Sequence, residues 1–545
     1  MANELSSENP TSFPNARYRA PEASGQYFCL PEWSLLPEIA QSNRDLFSKS
    51  SQQLFGLELN LLRTRARREC LQAAALHTRA YADVADPDAE ATLIVTGHQP
   101  ALVHPGVWLK SFAASQLAEA AGSLALNLVI DSDLCPAPSI RVPTGTIDQP
   151  RIEYVPWDKA TELIPFEERE VTEATLWNSF PDRTMETIAP FVEEPIVSTW
   201  WPRLPASSDS RNVGTLVSQA RHRMELDWGL QILDLPQSAV CQTEVFRTFF
   251  VRLIENLPVF TEAYNGALTD YRRAHRLRNH AQPLPNLQRE GDWLECPFWV
   301  WSRDDPQRRP LFACQQEDGW QLTDQRGWAE MLPSSEEGDF SLSLEALQRW
   351  ETVGVKLRSR ALTTTLFARW FLADLFLHGI GGGKYDQVTD EIARRLSEAE
   401  APQYAVLSGT LHLPVDHPAV SEVELREQRK FLRDIEFHGE TLIDPRELSD
   451  DQRANFMQAQ KQKLAAIDSS VTFNSPRERH FEISDANRTF ENLLAEQRRR
   501  AERELGEMRK QHQANRTLDS REYAFCLFPR EDLRKFLLDF RTSIS

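Results

Sequence analysis

One histidine, two aspartates, a lysine and a run of glycines carry the chemistry in this chain. Thr96-Gly97-His98-Gln99-Pro100 follows the apolar run Leu93-Ile94-Val95. Gly97 permits close approach of a ligand, and His98 and Gln99 offer hydrogen bonds; the plainer alternative is a capped strand end with one satisfied histidine. His104 follows in the same turn. Asp131 and Asp133 can bind magnesium, receive a ribose hydroxyl, accept a proton from an amine, or simply cap a turn. Further on, Gly381, Gly382 and Gly383 precede Lys384 in the stretch HGIGGGKYD. Such glycines turn backbone N–H groups toward an anion, and a helix N-terminus adds partial positive charge, so Lys384 would neutralise a phosphate or carboxylate. The alternative is a tight turn between two helices. From Gly379 the spacing is one residue short of the triphosphate-binding loop, Tyr385 replaces the magnesium-binding hydroxyl, and an apolar helix is predicted ahead of it, so that loop is excluded. Arg358 and Arg360, at the mouth of a predicted strand, are clamps for an oxyanion or members of surface ion pairs.

Specific elements must position these groups. Thr92 to Val95 is short, apolar and partly β-branched, the pattern of a strand buried on both faces. Leu109, Phe112, Ala113, Leu117 and Ala120 fall at helical spacing, and Gly122 ends that helix. Leu126 to Ile130 makes a second buried strand. This βαβ unit implies a parallel sheet whose strand ends bring Thr96–Gln99 and Asp131/Asp133 into one crevice.

Around this unit, Glu38 to Asp83 reads as mostly one long helix. Pro297 to Asp324 reads as an antiparallel hairpin turning at Asp305-Pro306-Gln307, and Leu362 to Leu375 as a very apolar helix. Tyr404 to Pro414 is another buried strand. Beyond Pro418 come charged helices: Ser421 to His438, one opened by the capping box Ser449-x-x-Gln452, and Asn487 to Gln513. Thin apolar seams along them suggest an antiparallel coiled-coil arm.

The 545 residues carry a formal net charge of −19, which argues against general nucleic-acid binding. No apolar run is long enough to span a bilayer, and seven scattered cysteines form no C-x-x-C pair, so a cytoplasmic protein with reduced thiols is expected.

Together TGHQPALVHPGVWLKSFAA with Lys110, Asp131-Ser132-Asp133, HGIGGGKYD and the closing REYAFCLFPREDLRKFL resemble, in order, the bacillithiol biosynthesis cysteine-adding enzyme family. The chain departs from that pattern at His98, where the family has glutamine, and at Lys384-Tyr385, where it has Gly-Glu. The resemblance implies an α/β fold with a Rossmann-like, nucleotidyltransferase-type parallel-sheet core, an inserted α+β segment and a C-terminal coiled-coil arm that forms a homodimer. The expected divisions are a tail over 1–26, N-terminal helices and first half-core over 27–240, and an insert over 241–354. The second half-core follows over 355–418, the arm over 419–515 and a docking segment over 516–545. The expected function is a ligase joining an amine to a carboxylate at the expense of ATP or an activated donor, with a small-molecule substrate and Mg2+. His98, Lys384, Asp131 and Asp133 would be catalytic; Thr96, Gly97, Gln99, the three glycines and Arg358 would bind the nucleotide. A nucleotide-binding scaffold and a nucleotidyltransferase are the alternatives.

Overall fold

The computed structural model describes residues 18–48, 53–202, 211–279, 282–335, 338–397, 400–468 and 475–540. Most of the tail expected over 1–26, residues 1–17, lies outside the described residues. Two compact units emerge, one within 1–142, 154–412 and 521–545, the other within 143–153 and 413–520.

In the first unit, β1 (Gln26–Leu30) precedes α1 (Leu36–Ser48) and α2 (Leu59–Arg79). The predicted long helix is thus two helices. Between them a small hairpin turns at Phe55 and Gly56, both with positive φ (53° and 75°), the conformation a two-residue hairpin turn demands and a helix cannot contain. Next come β2 (Leu93–His98), α3 (Pro105–Ala121) and β3 (Leu124–Val129), the βαβ unit read from the sequence, then α4 (Val213–Asp227) and β4 (Leu233–Pro236).

An antiparallel sheet follows, built from β5 (Trp293–Ser302), β6 (Arg309–Gln316), β7 (Gly319–Thr323), β8 (Ala329–Pro333) and β9 (Val355–Ser359). It contains the predicted hairpin and also captures β9, which pairs with β5 and not with the parallel core. Chain order then runs through α5 (Ala361–Phe367), β10 (Leu375–His378), α6 (Ile380–Leu396) and β11 (Tyr404–Thr410). β10 corrects the expectation of a helix running up to the glycines. Four apolar residues suit either structure, and here the sheet claims them.

The main sheet has the order β1-β11-β10-β2-β3-β4, parallel throughout except for β1, which lies antiparallel on β11. From β2 the chain steps outward to β3 and β4, then returns to the other side of β2 for β10 and β11. The direction of winding therefore reverses between β2 and β10, where Thr96 pairs with Leu377. Arg63 and Arg67 of α2 are buried because both reach the Asp374 carboxylate, at 2.5 and 2.9 Å, just ahead of β10.

Close backbone packing brings α3 onto β11. A Cβ on Gly106 would stand 2.0 Å from the Gly409 carbonyl oxygen, a backbone atom that no rotamer change relieves. Gly106→Ala is therefore expected to destabilise the first unit by about 1–3 kcal/mol or more, read as a lower urea midpoint. An unchanged midpoint would mean that α3 is free to slide.

The second unit is helical: α7 (Glu422–His438), α8 (Asp450–Ile467), α9 (Pro476–Leu493) and α10 (Ala495–Leu518). Ser421 and Ser449 each form a full capping box, with Glu424 and Gln452. The predicted helix from Asn487 to Gln513 is instead the end of α9 and most of α10, separated at Leu494. Phe456 and Ala459 of α8 pack on Ala486 and Phe490 of α9 as a narrow core. Among the described residues, no helix is long and apolar enough to cross a membrane. The chain ends in the first unit with α11 (Arg530–Leu538).

Candidate functional site

A cavity of about 730 Å³ opens at the carboxyl edge of the parallel strands, where the winding reverses. Gly97, His98 and Gln99 line it from β2, and Gly379, Gly381 and Gly382 line it from the start of α6. The two segments singled out in the sequence, nearly three hundred residues apart, thus face one space. Two helices begin at its wall. α3 starts at Pro105, with Gly106 and Val107 lining the cavity, and α6 starts after Gly379. The first N–H groups of a helix lack intrahelical partners and carry its positive dipole end, so two such ends favour an anion between them.

The lining is cationic. Among the described residues it includes Lys110, Arg308, Arg360 and Arg521 against the two carboxylates of Asp133 and Glu522. Lys110 Nζ donates to the Gly97 carbonyl at 2.7 Å, and burial, with help from Arg221, lowers its pKa to about 8. Arg308 donates to Asp133 Oδ1 at 3.0 Å and lies 4.5 Å from the Trp299 ring; Arg360 lies 4.0 Å from the same ring and pairs with Glu295 at 2.7 Å. Two guanidiniums held against one indole are pre-set in orientation, which limits the entropy lost on gripping an oxyanion.

Burial pushes the pKa of both His98 and His104 down to about 3, with Lys110 close to His98 and Arg521 close to His104. Both rings are therefore neutral at physiological pH. His98 Nδ1 lies 3.2 Å from the Gln99 carbonyl, which only accepts, so Nδ1 carries the proton and Nε2 keeps a lone pair. Gln99 Nε2 in turn donates to Asp133 Oδ2 at 2.8 Å, tying the end of β2 to the turn after β3.

The remaining sequence candidates separate into cavity and scaffold. Thr96 faces inward and donates to the Leu377 carbonyl at 2.9 Å, so it locks β2 to β10 and touches no ligand space. Gly383 is a packing residue: a Cβ there would meet Val406 at 2.4 Å. Lys384 is exposed and does not line the cavity. Asp131 turns away from Asp133. It accepts from the Ser238 amide at 2.9 Å and hydroxyl at 2.5 Å and lines a separate cavity of about 640 Å³ beside Glu167. Burial and Glu167 raise its pKa to about 7.

Arg358 is fully spent on structure. Its guanidinium grips Glu167 at 2.6 and 2.9 Å and Glu351 at 3.0 Å, while Arg360, just past the strand end, reaches the cavity instead. The chain matches no family model and no curated protein.

His222, Glu225 and Asp234 also converge, all buried. Both nitrogens of His222 are occupied, by the Tyr81 hydroxyl at 2.6 Å and the Ile232 carbonyl at 2.9 Å, and Arg221 bridges the two carboxylates. This is an ion-pair network fastening α4 to β4.

Sequence reading gives Arg308 and Arg521 no role, and it names Lys110 and His378 only within motifs, not as groups lining one space. Lys110 sits one helical turn from Gly106, on the face that must meet the end of β2, a relation visible only with both elements in place.

Proposed function

We propose that the protein is a nucleotide-dependent ligase that joins an amine to a carboxylate in the cavity between β2 and β10. The observation that carries this reading is the meeting of two helix N-termini and four cationic side chains in one space at the reversal of strand order. In parallel sheets that reversal is where nucleotides bind, and the order of the five parallel strands, 5-4-1-2-3 in chain sequence, is the one a Rossmann-like, nucleotidyltransferase-type core would have. The motif order shared with the cysteine-adding family supports the same reaction class.

The donor set fits a nucleotide. Lys110, Arg308, Arg360 and Arg521 would hold its phosphates, while Tyr264, Leu284, Phe376 and Tyr385 offer an apolar wall to its base. Magnesium would enter with the phosphates, because Asp131 and Asp133 are engaged by different partners and face different cavities. Amide formation in water is uphill, so a nucleotide co-substrate supplies the driving force, and the fixed cations stabilise charge on the departing phosphate.

Calorimetric titration tests the reading directly. ATP, ADP and pyrophosphate are expected to bind with saturable heats, and adenosine, which lacks charge, at least about tenfold more weakly. Equal affinity for adenosine and ATP, or binding of none of the four, would overturn it.

A further inference from the structure

His378 ends β10 and lines the cavity, yet the phosphate-holding role assigned above makes no use of its chemistry. Its Nε2 lies 2.8 Å from Asp386 Oδ2, and the same carboxylate oxygen takes Arg369 Nη1 at 2.7 Å. A carboxylate paired with a guanidinium is ionised and only accepts, so Nε2 carries the proton and Nδ1 keeps its lone pair. Asp386 is wholly buried, nearly two turns into α6, and Arg369 is 1% exposed, so the ring is held from behind by a fixed charged pair. Phe376 and Tyr404 close its sides, with ring centroids at 4.4 and 5.1 Å.

Nδ1 is the free end. It has no partner among the described residues. A Cβ on residue 382 would stand 2.8 Å from it, so glycine at that position keeps the nitrogen uncovered. Burial, reinforced by Arg369 and Lys110, lowers the imidazole pKa even against the Asp386 carboxylate, so the ring is neutral and able to take a proton.

Building on the ligase reading, we propose that His378 Nδ1 is the proton acceptor for the amine substrate, with Asp386 as its positioning residue and Arg369 behind that. The amine nitrogen attacks the carbonyl carbon of the acyl phosphate made from the carboxylate substrate and the nucleoside triphosphate. A C–N bond forms, the C–O bond to phosphate breaks, and the electron pair leaves on phosphate. The proton shed by the amine nitrogen passes to Nδ1, and the imidazolium formed is stabilised by Asp386.

The test uses the full-length chain with ATP and magnesium, each standard amino acid in turn as the carboxylate, and two amines. Hydroxylamine is largely unprotonated at neutral pH and has little need of a base; glycinamide is largely an ammonium ion. His378→Gln is expected to lower the glycinamide rate by about 10²- to 10⁴-fold and the hydroxylamine rate far less, with ATP affinity held within about twofold of wild type. Asp386→Asn, which admits the other ring tautomer, is expected to show the same asymmetry and covers the case in which His378→Gln does not fold. Equal losses with both amines, or no loss with either, overturn the assignment of His378 while leaving the ligase reading intact. Absence of hydroxamate with every amino acid overturns the ligase reading itself.

Discussion

Lys110→Met is expected to weaken ATP binding by about 10- to 150-fold while making the protein more stable. A charge-assisted contact to phosphate in a closed site contributes about 1.5–3 kcal/mol, which sets the range of the affinity loss. The gain in stability has a separate cause. Lys110 is 5% exposed, and among the described residues its ammonium has one hydrogen bond, to the Gly97 carbonyl, with no carboxylate partner. Methionine fills the same channel without desolvating a charge. Opposite signs in calorimetry and in urea denaturation would mark a group kept for its ligand and not for the fold. Lys384→Met is the control, expected to leave affinity within about twofold, since its side chain points to solvent.

The same lysine sets a pH dependence. Its pKa is lowered to about 8 because burial disfavours the ammonium, so the free protein loses that charge as pH rises through this value. Binding of an anion needs the charged form. Affinity for ATP is therefore expected to be flat below about pH 7 and to fall by up to tenfold per pH unit above about 8, with Lys110→Met abolishing that slope. Stability of the unliganded protein runs the other way. Between about 8 and the ordinary lysine value the unfolded chain binds the additional proton, so stability rises with pH across that window. A slope of the same size in Lys110→Met would assign the titration to another group.

Arg358→Ala carries the second large effect, on stability alone. Its guanidinium is 1% exposed, and Glu167 and Glu351 are 13% and 14% exposed, so the three charges form a nearly dry cluster with Lys356 at its rim. Removing the arginine strands two carboxylates at a cost of about 3–5 kcal/mol, visible as a large drop in the urea midpoint. ATP affinity of the folded fraction is expected to stay within about twofold, because Arg358 does not line the cavity. A weakened affinity with an unchanged midpoint would restore Arg358 to the binding set.

Much of this arrangement was legible before folding. The βαβ unit, the strand from Tyr404, the capping box at Ser449 and the antiparallel hairpin follow from local periodicity and from turn and cap chemistry, which act within a few residues. His98, Gln99, Gly381 and Gly382 were found because loops at the ends of buried strands must face either solvent or a ligand.

Local pattern also has a boundary, and the corrections fall on it. Leu375 to His378 became a strand because β2 and β11 were there to pair with it, and Val355 to Ser359 joined the antiparallel sheet because β5 offered an edge. Arg358 and Arg360 look alike in sequence, but only the second lies past the strand end, beyond the reach of Glu167. Lys384 and Lys110 differ in burial because one faces outward on α6 and the other is sealed between α3 and the end of β2. Local pattern alone fixes strands, helices and turns wherever it runs long enough to choose between them. Which polar groups come to share a dry space is set by the packed fold, because a side chain's neighbours across a sheet depend on strand register and order, and these are settled by the whole core at once.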